Sequence, residues 1–581
     1  MSILKSSILL PATSITPSNR HVFISRTGSG SSVRARQNKY ISSRLPPASL
    51  TAAQGTPSFD PRMRRVSNMI RDPAGPINFG DYPGEVAQLP VDHFNESDTR
   101  TYGNRFWVNA TYYQQGGPVF LYLGGEVDAQ FYLARRFNGV AIIFENRYYG
   151  GVSSGSDANG SYPVPVDSDG FATDYTYLTL EQVLEDAVYF ANNFQPQGLD
   201  QYWSDLSPSE TPWVTFGGSY PGVLSAILRV RNPETFYAAF ASSAPTQALL
   251  DFWTYFSPIE RSMTRNCSTD YTAITNWVDD VLTNGTAEEI SDLKLDLYTA
   301  AFSGPGWNNP AQPNRTLSDQ WQNSDVANYL TTPLNYFQEY GFERSVQKFC
   351  DDMQTMNQSS VSTTDNGGTA PPIASEAGIA RTQNITVAWN AFLVAMSATG
   401  YNNLPGSGLV EPSSGISWTW QYCTEFGYYQ TGNPANPHTI ESRFTSLDSI
   451  QSTYCEGTFP NMSLPATPNT DAVNKYGGWN MNPSNTMFTA GEFDPWRPLS
   501  VLSEDTENGA PGRTIVQTVP QCNVAPDNGT AFGQVYMNMN ASSIGQVPHI
   551  NLESFYTALG LFSIALENWF PCFCKASDAQ K

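Results

Sequence analysis

At residues 215–222 the chain reads Thr215-Phe216-Gly217-Gly218-Ser219-Tyr220-Pro221-Gly222. A short apolar run at 213–216 precedes the two glycines, and a helix-like run at 223–231 follows them. A strand that turns tightly into a helix holds the side chain at the turn clear of the backbone, an arrangement called the nucleophile elbow. The sequence therefore predicts an accessible serine hydroxyl at Ser219, placed for acyl transfer. The strict pattern G-x-S-x-G would have glycine at 221, where this chain has proline.

Apolar segments on both sides of the elbow predict further strands and helices. The predicted strands are Pro118–Gly125, Gly139–Glu145, Tyr237–Ala244 and Thr486–Ala490. Apolar residues at helical spacing predict helices at Leu180–Asn193 and Asn551–Phe570. Strands that alternate with helices predict an α/β fold, with a parallel sheet covered by helices on both faces.

The middle of the chain has a different pattern. Between residues 248 and 480, helix-like stretches alternate with loops rich in Gly, Pro and Asn; the stretches are Tyr271–Leu282, Ala287–Ala300 and Val387–Ala398. We predict an inserted, mainly helical cap domain at 248–480. The sheet domain is then split into 81–247 and 481–581.

Residues 1–80 form a basic leader. Residues 1–75 hold eleven Lys and Arg, two Asp and no Glu. The apolar run Ile8–Leu10 is too short for the core of a signal peptide. The leader is interpreted as a disordered pro-segment or as a wrongly assigned start. A mitochondrial transit peptide would have a similar composition, but the features that follow argue against it.

Composition excludes several classes of partner. The 581 residues carry a net charge of −22, with 40% hydrophobic and 14% charged residues. A strongly acidic chain is a poor ligand for nucleic acid or anionic membranes. No run of 18 apolar residues occurs, so no membrane span is predicted. Low charge with abundant Asn, Ser, Thr, Gly and Tyr favours a secreted protein, or one from an acidic lysosome- or vacuole-like compartment.

Sequons and cysteines favour the same setting. Asn-x-Ser/Thr, the acceptor for N-glycans, occurs at Asn95, Asn109, Asn159, Asn266, Asn284, Asn314, Asn357, Asn384, Asn461, Asn528 and Asn540. In an oxidising compartment the seven cysteines would form disulfides and leave one over. The preferred pairs are Cys267–Cys350 and Cys423–Cys455, with Cys522 joined to Cys572 or Cys574. With no C-x-x-C and only four histidines, no metal site is predicted, and no cofactor is expected.

A serine nucleophile needs a base, usually histidine, oriented by a carboxylate. His21 lies in the leader, His93 precedes the first predicted sheet strand, and His438 lies in a loop rich in Pro and Asn. His549 lies just before the last predicted helix, where a hydrolase of this kind carries its base. His549 is therefore the predicted base, with His93 and His438 as alternatives.

The carboxylate is expected between serine and histidine, in the order Ser…Asp…His. Asp494 follows a predicted strand, in a turn closed by Pro495. An Asp-Pro pair is also a common turn, so a purely structural role is the competing interpretation. Asp494 is the best-placed acid in the interval, and Glu492 is the near alternative.

Two backbone N–H groups are expected to bind the oxyanion of the transition state. The residue after the nucleophile, Tyr220, supplies one. The turn Gly124-Gly125-Glu126, after the first predicted strand, could supply the second from Gly125. A plain tight turn is an equally good interpretation of these residues. Glu126 is a candidate substrate-binding residue.

Four motifs in order resemble the serine peptidase family of prolyl carboxypeptidase and dipeptidyl peptidase II. The motifs are Asp92-His93-Phe94, Glu145-x-Arg147-Tyr148-Tyr149-Gly150, Gly217-Gly218-Ser219-Tyr220-x-Gly222 and Gly491-Glu492-Phe493-Asp494-Pro495-Trp496. The resemblance runs from about residue 85 to the end. It is nearest to the fungal extracellular branch, which includes acid prolyl endopeptidases.

The resemblance implies an α/β-hydrolase domain with a helical cap, and cleavage of peptide or protein substrates after proline. It assigns the nucleophile to Ser219, the acid to Asp494 and the base to His549. It also implies that Trp496 lines the proline pocket, where an aromatic face packs well on the pyrrolidine ring. A lysosomal or secreted setting with an acid preference is implied as well.

The chain departs from the family pattern in three ways. Pro221 replaces a small residue, and Asn146 stands where the family commonly has histidine. About 55 residues separate Asp494 from His549, and the extra segment is expected to form a surface loop. Two other functions stay open: an esterase or lipase on the same fold, and a catalytically silent secreted binding protein.

Overall fold

The computed structural model describes residues 84–124, 129–150, 160–167, 171–302, 314–335, 337–355, 377–399, 412–536 and 552–577. Eleven strands occur in these ranges. They are β1 Glu85–Pro90, β2 Thr101–Asn109, β3 Val119–Leu123, β4 Val140–Phe144, β5 Trp213–Gly218, β6 Ala238–Ser242, β7 Leu249–Asp251, β8 Gly427–Tyr429, β9 Thr486–Gly491, β10 Thr514–Val516 and β11 Thr530–Tyr536.

Helices connect and cover the strands. The α-helices are Ala129–Phe137, Leu180–Asn192, Tyr220–Arg231, Phe256–Ser262, Arg265–Asn284, Ala287–Phe302, Arg315–Ser318, Asn323–Thr331, Phe337–Gly341, Gln347–Thr355, Gly378–Thr382, Ile385–Thr399, Pro412–Gln421, Leu447–Ser449, Glu456–Thr458, Asp471–Asn474 and Leu552–Trp569. Wider π-helical turns occur at Phe342–Val346, Tyr422–Phe426 and Ile450–Cys455. Short 3₁₀ turns are Asp200–Tyr202, Trp253–Tyr255, Thr332–Leu334, Gly478–Asn480, Arg497–Leu499, Thr506–Asn508 and Phe570–Cys572.

Nine strands form one sheet, in the order β1-β2-β4-β3-β5-β6-β9-β11-β10. From β4 to β10, neighbouring strands run parallel. The central strands β3 and β4 are apolar and fully buried, as expected of strands covered on both faces. This sheet, with its strand–elbow–helix unit, confirms the predicted α/β-hydrolase fold.

One edge of the sheet departs from the all-parallel prediction. Strand β2 pairs antiparallel with both β1 and β4. Only residues 91–100 connect β1 to β2. A parallel pair needs a crossover of about a dozen residues or more, so this short link is compatible only with an antiparallel pair.

The segment between Asp494 and His549 is not the surface loop that we expected. It contributes β10 and β11, and β11 lies beside β9 in the main sheet. The final helix then begins at Leu552. His549 lies within residues 537–551, outside the described residues.

Two hydrophobic cores occur among the described residues. The first surrounds the sheet, and the second lies among the inserted helices, from Phe256 to Ile440. Side chains from Tyr422 to Val473 pack into the first core, although they belong to the inserted part of the sequence. The predicted boundaries of the cap and of the sheet domain stay predictions, as does the leader, which lies outside the described residues.

Three disulfides link the chain, at Cys267–Cys350, Cys423–Cys455 and Cys522–Cys572. These confirm the two preferred pairs and select Cys572 as the partner of Cys522. Cys574 is exposed and is not disulfide-bonded. Among the described helices, none is long and apolar enough to cross a membrane.

Candidate active site

Ser219 lies at the sharp turn between β5 and the helix Tyr220–Arg231. Its backbone has φ +58° and ψ −127°, a region that a residue with a side chain rarely adopts. The Ser219 N–H donates to the carbonyl of Ser242 on β6 at 2.9 Å. Strain of this kind persists only where the surroundings hold it, and it is common at functional sites.

Glycines make the turn possible. A Cβ on Gly217 would lie 2.0 Å from the carbonyl oxygen of Pro221. A Cβ on Gly222 would lie 2.7 Å from the carbonyl oxygen of Ser242. Both contacts are with backbone atoms, which cannot move aside, so both positions require glycine.

Pro221 fits at the elbow because of a third glycine. The proline lies in the first turn of its helix, where a missing N–H costs no hydrogen bond. Its Cγ lies 3.2 Å from the point where a Cβ of Gly124 would be. Gly124 follows β3 and has φ +92°. The absence of a side chain at Gly124 thus leaves room for the proline ring.

Asp494 lies in the turn after β9 and is fully buried, at 0% exposure. Its Oδ1 accepts the backbone N–H of Trp496 at 2.8 Å. Its Oδ2 has no hydrogen-bond partner within the described part of the chain. Burial raises the pKa of Asp494 to about 6, although Trp496 and Ser243 favour the charged form. Glu492, the alternative acid, is only half-buried.

The two alternative bases, His93 and His438, lie in different surroundings from each other. His93 Nε2 lies 2.7 Å from Asp186 Oδ1 in a buried cluster. Arg147 donates to the same carboxylate from Nε and Nη2, at 2.5 and 2.7 Å. The carboxylate of Asp186 is thereby shared between Arg147 and the ring of His93. His438 is exposed.

Two residues of the Glu145–Gly150 motif, Glu145 and Arg147, make their hydrogen bonds at the antiparallel edge of the sheet and not at the elbow. Arg147 also donates to the carbonyls of Val91 and Tyr177, at 3.1 and 2.9 Å. Glu145 accepts two hydrogen bonds from Arg105, at 2.8 and 2.7 Å. Because a charge-assisted bidentate pair fixes geometry strongly, these motif residues have a structural role in the described fold.

The structure describes only part of the predicted oxyanion site. Tyr220 begins the helix after Ser219. The N–H of Gly124 donates to Phe144 at 3.0 Å. Gly125 and Glu126 lie outside the described residues, so their predicted roles stay predictions.

A small cavity walled by aromatic side chains adjoins Ser219. Its lining residues are Ser219, Tyr220, Val223, Pro245, Trp418, Phe426, Tyr428 and Trp496. Trp496 lies edge-on to Tyr428, with ring centroids 5.3 Å apart. Sequence reasoning singled out Trp496 but missed Trp418, Phe426 and Tyr428. The dense aromatic stretch at 418–429 was the available signal.

The arrangement can support covalent catalysis by the Ser219 hydroxyl on a substrate that places an apolar side chain in the cavity. A strained serine follows β5, a buried carboxylate follows β9 on the other side of β6, and an aromatic cavity adjoins the serine. No cluster of three or more His, Cys, Asp or Glu that could hold a metal ion occurs among the described residues.

Comparison with known proteins agrees with this geometry. A family model described as serine carboxypeptidase S28 matches residues 89–522. A probable extracellular serine carboxypeptidase of Arthroderma benhamiae is 29% identical over 462 residues, which cover 72% of this chain and 60% of that protein. The chain thus spans less than two thirds of that relative's length.

Two further relatives are matched over more of their length. Serine protease vicPa of Bipolaris victoriae is 28% identical over 470 residues, covering 75% of this chain and 81% of the relative. The thymus-specific serine protease of Homo sapiens is 28% identical over 440 residues, covering 72% and 77%. Because the family model covers well over half of it, the chain belongs to the serine carboxypeptidase S28 family of serine peptidases.

Proposed function

We propose that this protein hydrolyses peptides on the carboxyl side of proline, through an acyl-enzyme on Ser219. The aromatic cavity beside Ser219 carries the proposal. A pyrrolidine ring is compact and apolar, and aromatic faces such as those of Trp418 and Trp496 suit it. No charged side chain lines the cavity among the described residues, which disfavours basic or acidic side chains at this position.

In the proposed reaction, Ser219 Oγ attacks the carbonyl carbon of the proline residue. His549 takes the hydroxyl proton and then gives it to the leaving amine, whose bond to the carbonyl carbon breaks. Water, activated by the same histidine, frees the peptide acid and restores Ser219. The N–H of Tyr220 binds the developing oxyanion, with Gly125 as the second donor.

Asp494 is proposed to orient His549. Its Oδ2, for which the described residues supply no hydrogen-bond donor, is suited to accept the other ring N–H of the histidine. A buried carboxylate oxygen without a donor is costly, and an imidazole from residues 537–551 would supply that donor. Burial disfavours the charged form of Asp494 and so raises its pKa. The positive charge of the imidazolium formed during catalysis would offset this cost.

The test uses two substrates. A free-ended tripeptide with proline in the middle serves both kinds of exopeptidase, and a longer blocked peptide with internal proline serves an endopeptidase. We expect the wild type to cleave at least one of them after proline, and Ser219→Ala to lose that activity. Loss of one member of a triad costs several orders of magnitude in kcat, so His549→Ala should lose a similar amount.

A fluorophosphonate label and a simple ester separate the alternatives. Labelling of Ser219 with ester turnover alone would favour an esterase or lipase on the same fold. Folded protein in which Ser219 takes no label would favour a catalytically silent binding protein. Near-normal activity in His549→Ala would reassign the base to His93 or His438.

We propose a secreted or acidic lysosome- or vacuole-like setting, with N-glycans. Three disulfides support an oxidising compartment, and the Arthroderma relative is named extracellular. Exposed sequon asparagines suited to glycans are Asn95, Asn284, Asn314, Asn384, Asn461 and Asn528. Asn109 is buried and is not a candidate. Glycosidase treatment that leaves the mass of the secreted protein unchanged would contradict the glycans.

A further inference from the structure

We propose that two glutamines, the half-buried Gln338 and the buried Gln421, are positioning residues that set the preference of the cavity for proline. The inference rests on the proposed function. Both glutamines belong to the inserted part of the sequence, between β6 and β9. Each hydrogen-bonds one aromatic wall of the cavity, and neither side chain lines the cavity.

Gln338 holds Trp496. The indole N–H of Trp496 donates to Gln338 Oε1 at 2.8 Å, and the hydroxyl of Tyr255 donates to the same oxygen at 3.3 Å. Trp496 is also tied to Asp494 through its backbone N–H. An inserted helix, Phe337–Gly341, therefore contacts the residue that both supports the buried acid and forms a wall of the cavity.

Gln421 holds Tyr220. Its Nε2 donates to the Tyr220 hydroxyl at 2.9 Å, and its Oε1 accepts the Tyr149 hydroxyl at 2.7 Å. Gln421 is fully buried, at 0% exposure. The rings of Tyr149 and Tyr220 stack with centroids 6.0 Å apart. The phenol next to the nucleophile is thus fixed at its ring face and at its hydroxyl.

The two contacts have a common consequence for specificity. A buried donor or hydroxyl that loses its partner pays a desolvation cost. Without the glutamine oxygen or amide, Trp496 or Tyr220 would turn toward another partner and leave its place in the wall. A proline ring fills the cavity and depends on both walls, whereas an alanine methyl group touches little of either. The variants should therefore lose kcat/KM mainly for substrates with proline before the scissile bond.

The test compares two peptides that differ only in proline or alanine before the scissile bond. Gln338→Met and Gln421→Met remove the hydrogen bonds while keeping a long, unbranched side chain. We expect each variant to lower kcat/KM for the proline peptide about tenfold, which corresponds to the loss of one hydrogen bond to a wall residue of the cavity. For the alanine peptide we expect a change of less than about threefold by the same argument.

Gln354→Met is the matched control. Gln354 is a buried glutamine of the second core, 6% exposed, and its amide donates to Asp270 at 2.7 Å. Its loss should lower the melting temperature as much as the other two variants do, with the proline-to-alanine ratio unchanged. Gln338→Glu keeps the oxygen acceptor for Trp496 and should restore most of the wild-type ratio.

The outcomes separate the inference from the proposed function. Variants that keep the wild-type ratio, or that lose both activities equally, overturn the inference alone. The same ratio shift in Gln354→Met overturns it too. A wild type that cleaves both peptides equally well overturns the proline preference, and the inference with it. A fluorophosphonate label on Ser219 in every variant checks that the elbow is intact.

Discussion

Adjacent glycines at the elbow have different surroundings. A Cβ on Gly217 would overlap the backbone of Pro221, at 2.0 Å from its oxygen and 2.1 Å from its carbon. A Cβ on Gly218 would meet nothing within 4 Å. The first glycine is required by packing and the second is not, although the sequence pattern presents them as a pair.

Gly217→Ala is expected to destabilise the protein by about 3 kcal/mol, at the high end for overpacking, because only backbone atoms could yield. Gly218→Ala is the control and should change the free energy of unfolding by less than about 1 kcal/mol. Urea unfolding of both variants measures the difference. Equal stabilities would mean that the elbow relaxes, contrary to the geometry described.

At the scale of the elements, one disulfide fixes the cavity wall. Cys423 lies in the π-helical turn Tyr422–Phe426, and Cys455 ends the π-helical turn Ile450–Cys455. The cavity is lined by Phe426 and Tyr428, which lie three and five residues after Cys423. The Cys423–Cys455 bond therefore fastens the segment that carries much of the aromatic wall.

Replacing both Cys423 and Cys455 by alanine should raise KM for a proline peptide severalfold and lower the stability by about 2–4 kcal/mol. The matched control replaces Cys522 and Cys572, neither of which lines the cavity. That control should lose stability without the change in KM. Steady-state kinetics at a temperature where both variants are folded makes the comparison. An equal KM change in the two would contradict a local role of the first bond.

The sequence predicted the buried parallel strands well, because Val119–Leu123 and Val140–Phe144 are uninterrupted apolar runs. It did not predict β2 or β11. Thr101–Asn109 and Thr530–Tyr536 mix polar and apolar residues with glycine. These segments form strands because they pair with neighbouring strands, and no apolar run in the sequence marks them.

Ser219 and Asp494 were predictable because each follows a strand at a recognisable turn. The far wall of the cavity was not. Trp418, Phe426 and Tyr428 come from a helix, a π-helical turn and a short strand within the insertion. No local pattern in the sequence relates that segment to a turn about 200 residues earlier.

For the whole molecule, three carboxyl groups, of which Asp494 and Glu441 are buried and Glu425 is half-buried, make stability depend on pH. Burial is the main cause that raises the pKa of Asp494 to about 6, of Glu425 to about 7 and of Glu441 to about 8. Each folded value lies above the ordinary value of the unfolded chain, so folding takes up protons. The stabilisation is complete below about pH 4, the range of unfolded carboxyl groups, and is lost as pH rises toward 8.

The melting temperature is therefore expected to fall between pH 4.5 and pH 8. Glu441→Gln should flatten part of this fall, because the amide is neutral at every pH. Relative to wild type, the variant should gain up to about 1.4 kcal/mol per pH unit over this range. Glu288→Gln, at an exposed carboxylate, is the control. A wild type whose stability rises from pH 4.5 to 8 would contradict the assignment.

The central pairing of β6 with β9 has a consequence for biosynthesis. Thr489 Oγ1 donates to Ser242 Oγ at 2.7 Å, across a separation of 247 residues, and the whole insertion lies between them. During synthesis on the ribosome, β6 cannot pair with β9 until the whole insertion has emerged. The inserted helices from Phe256 to Ile440 have their own core and the Cys267–Cys350 bond, whereas side chains from Tyr422 to Val473 pack into the core around the sheet. Ser219 and Asp494, which follow β5 and β9, are therefore brought together only after the whole insertion has been synthesised.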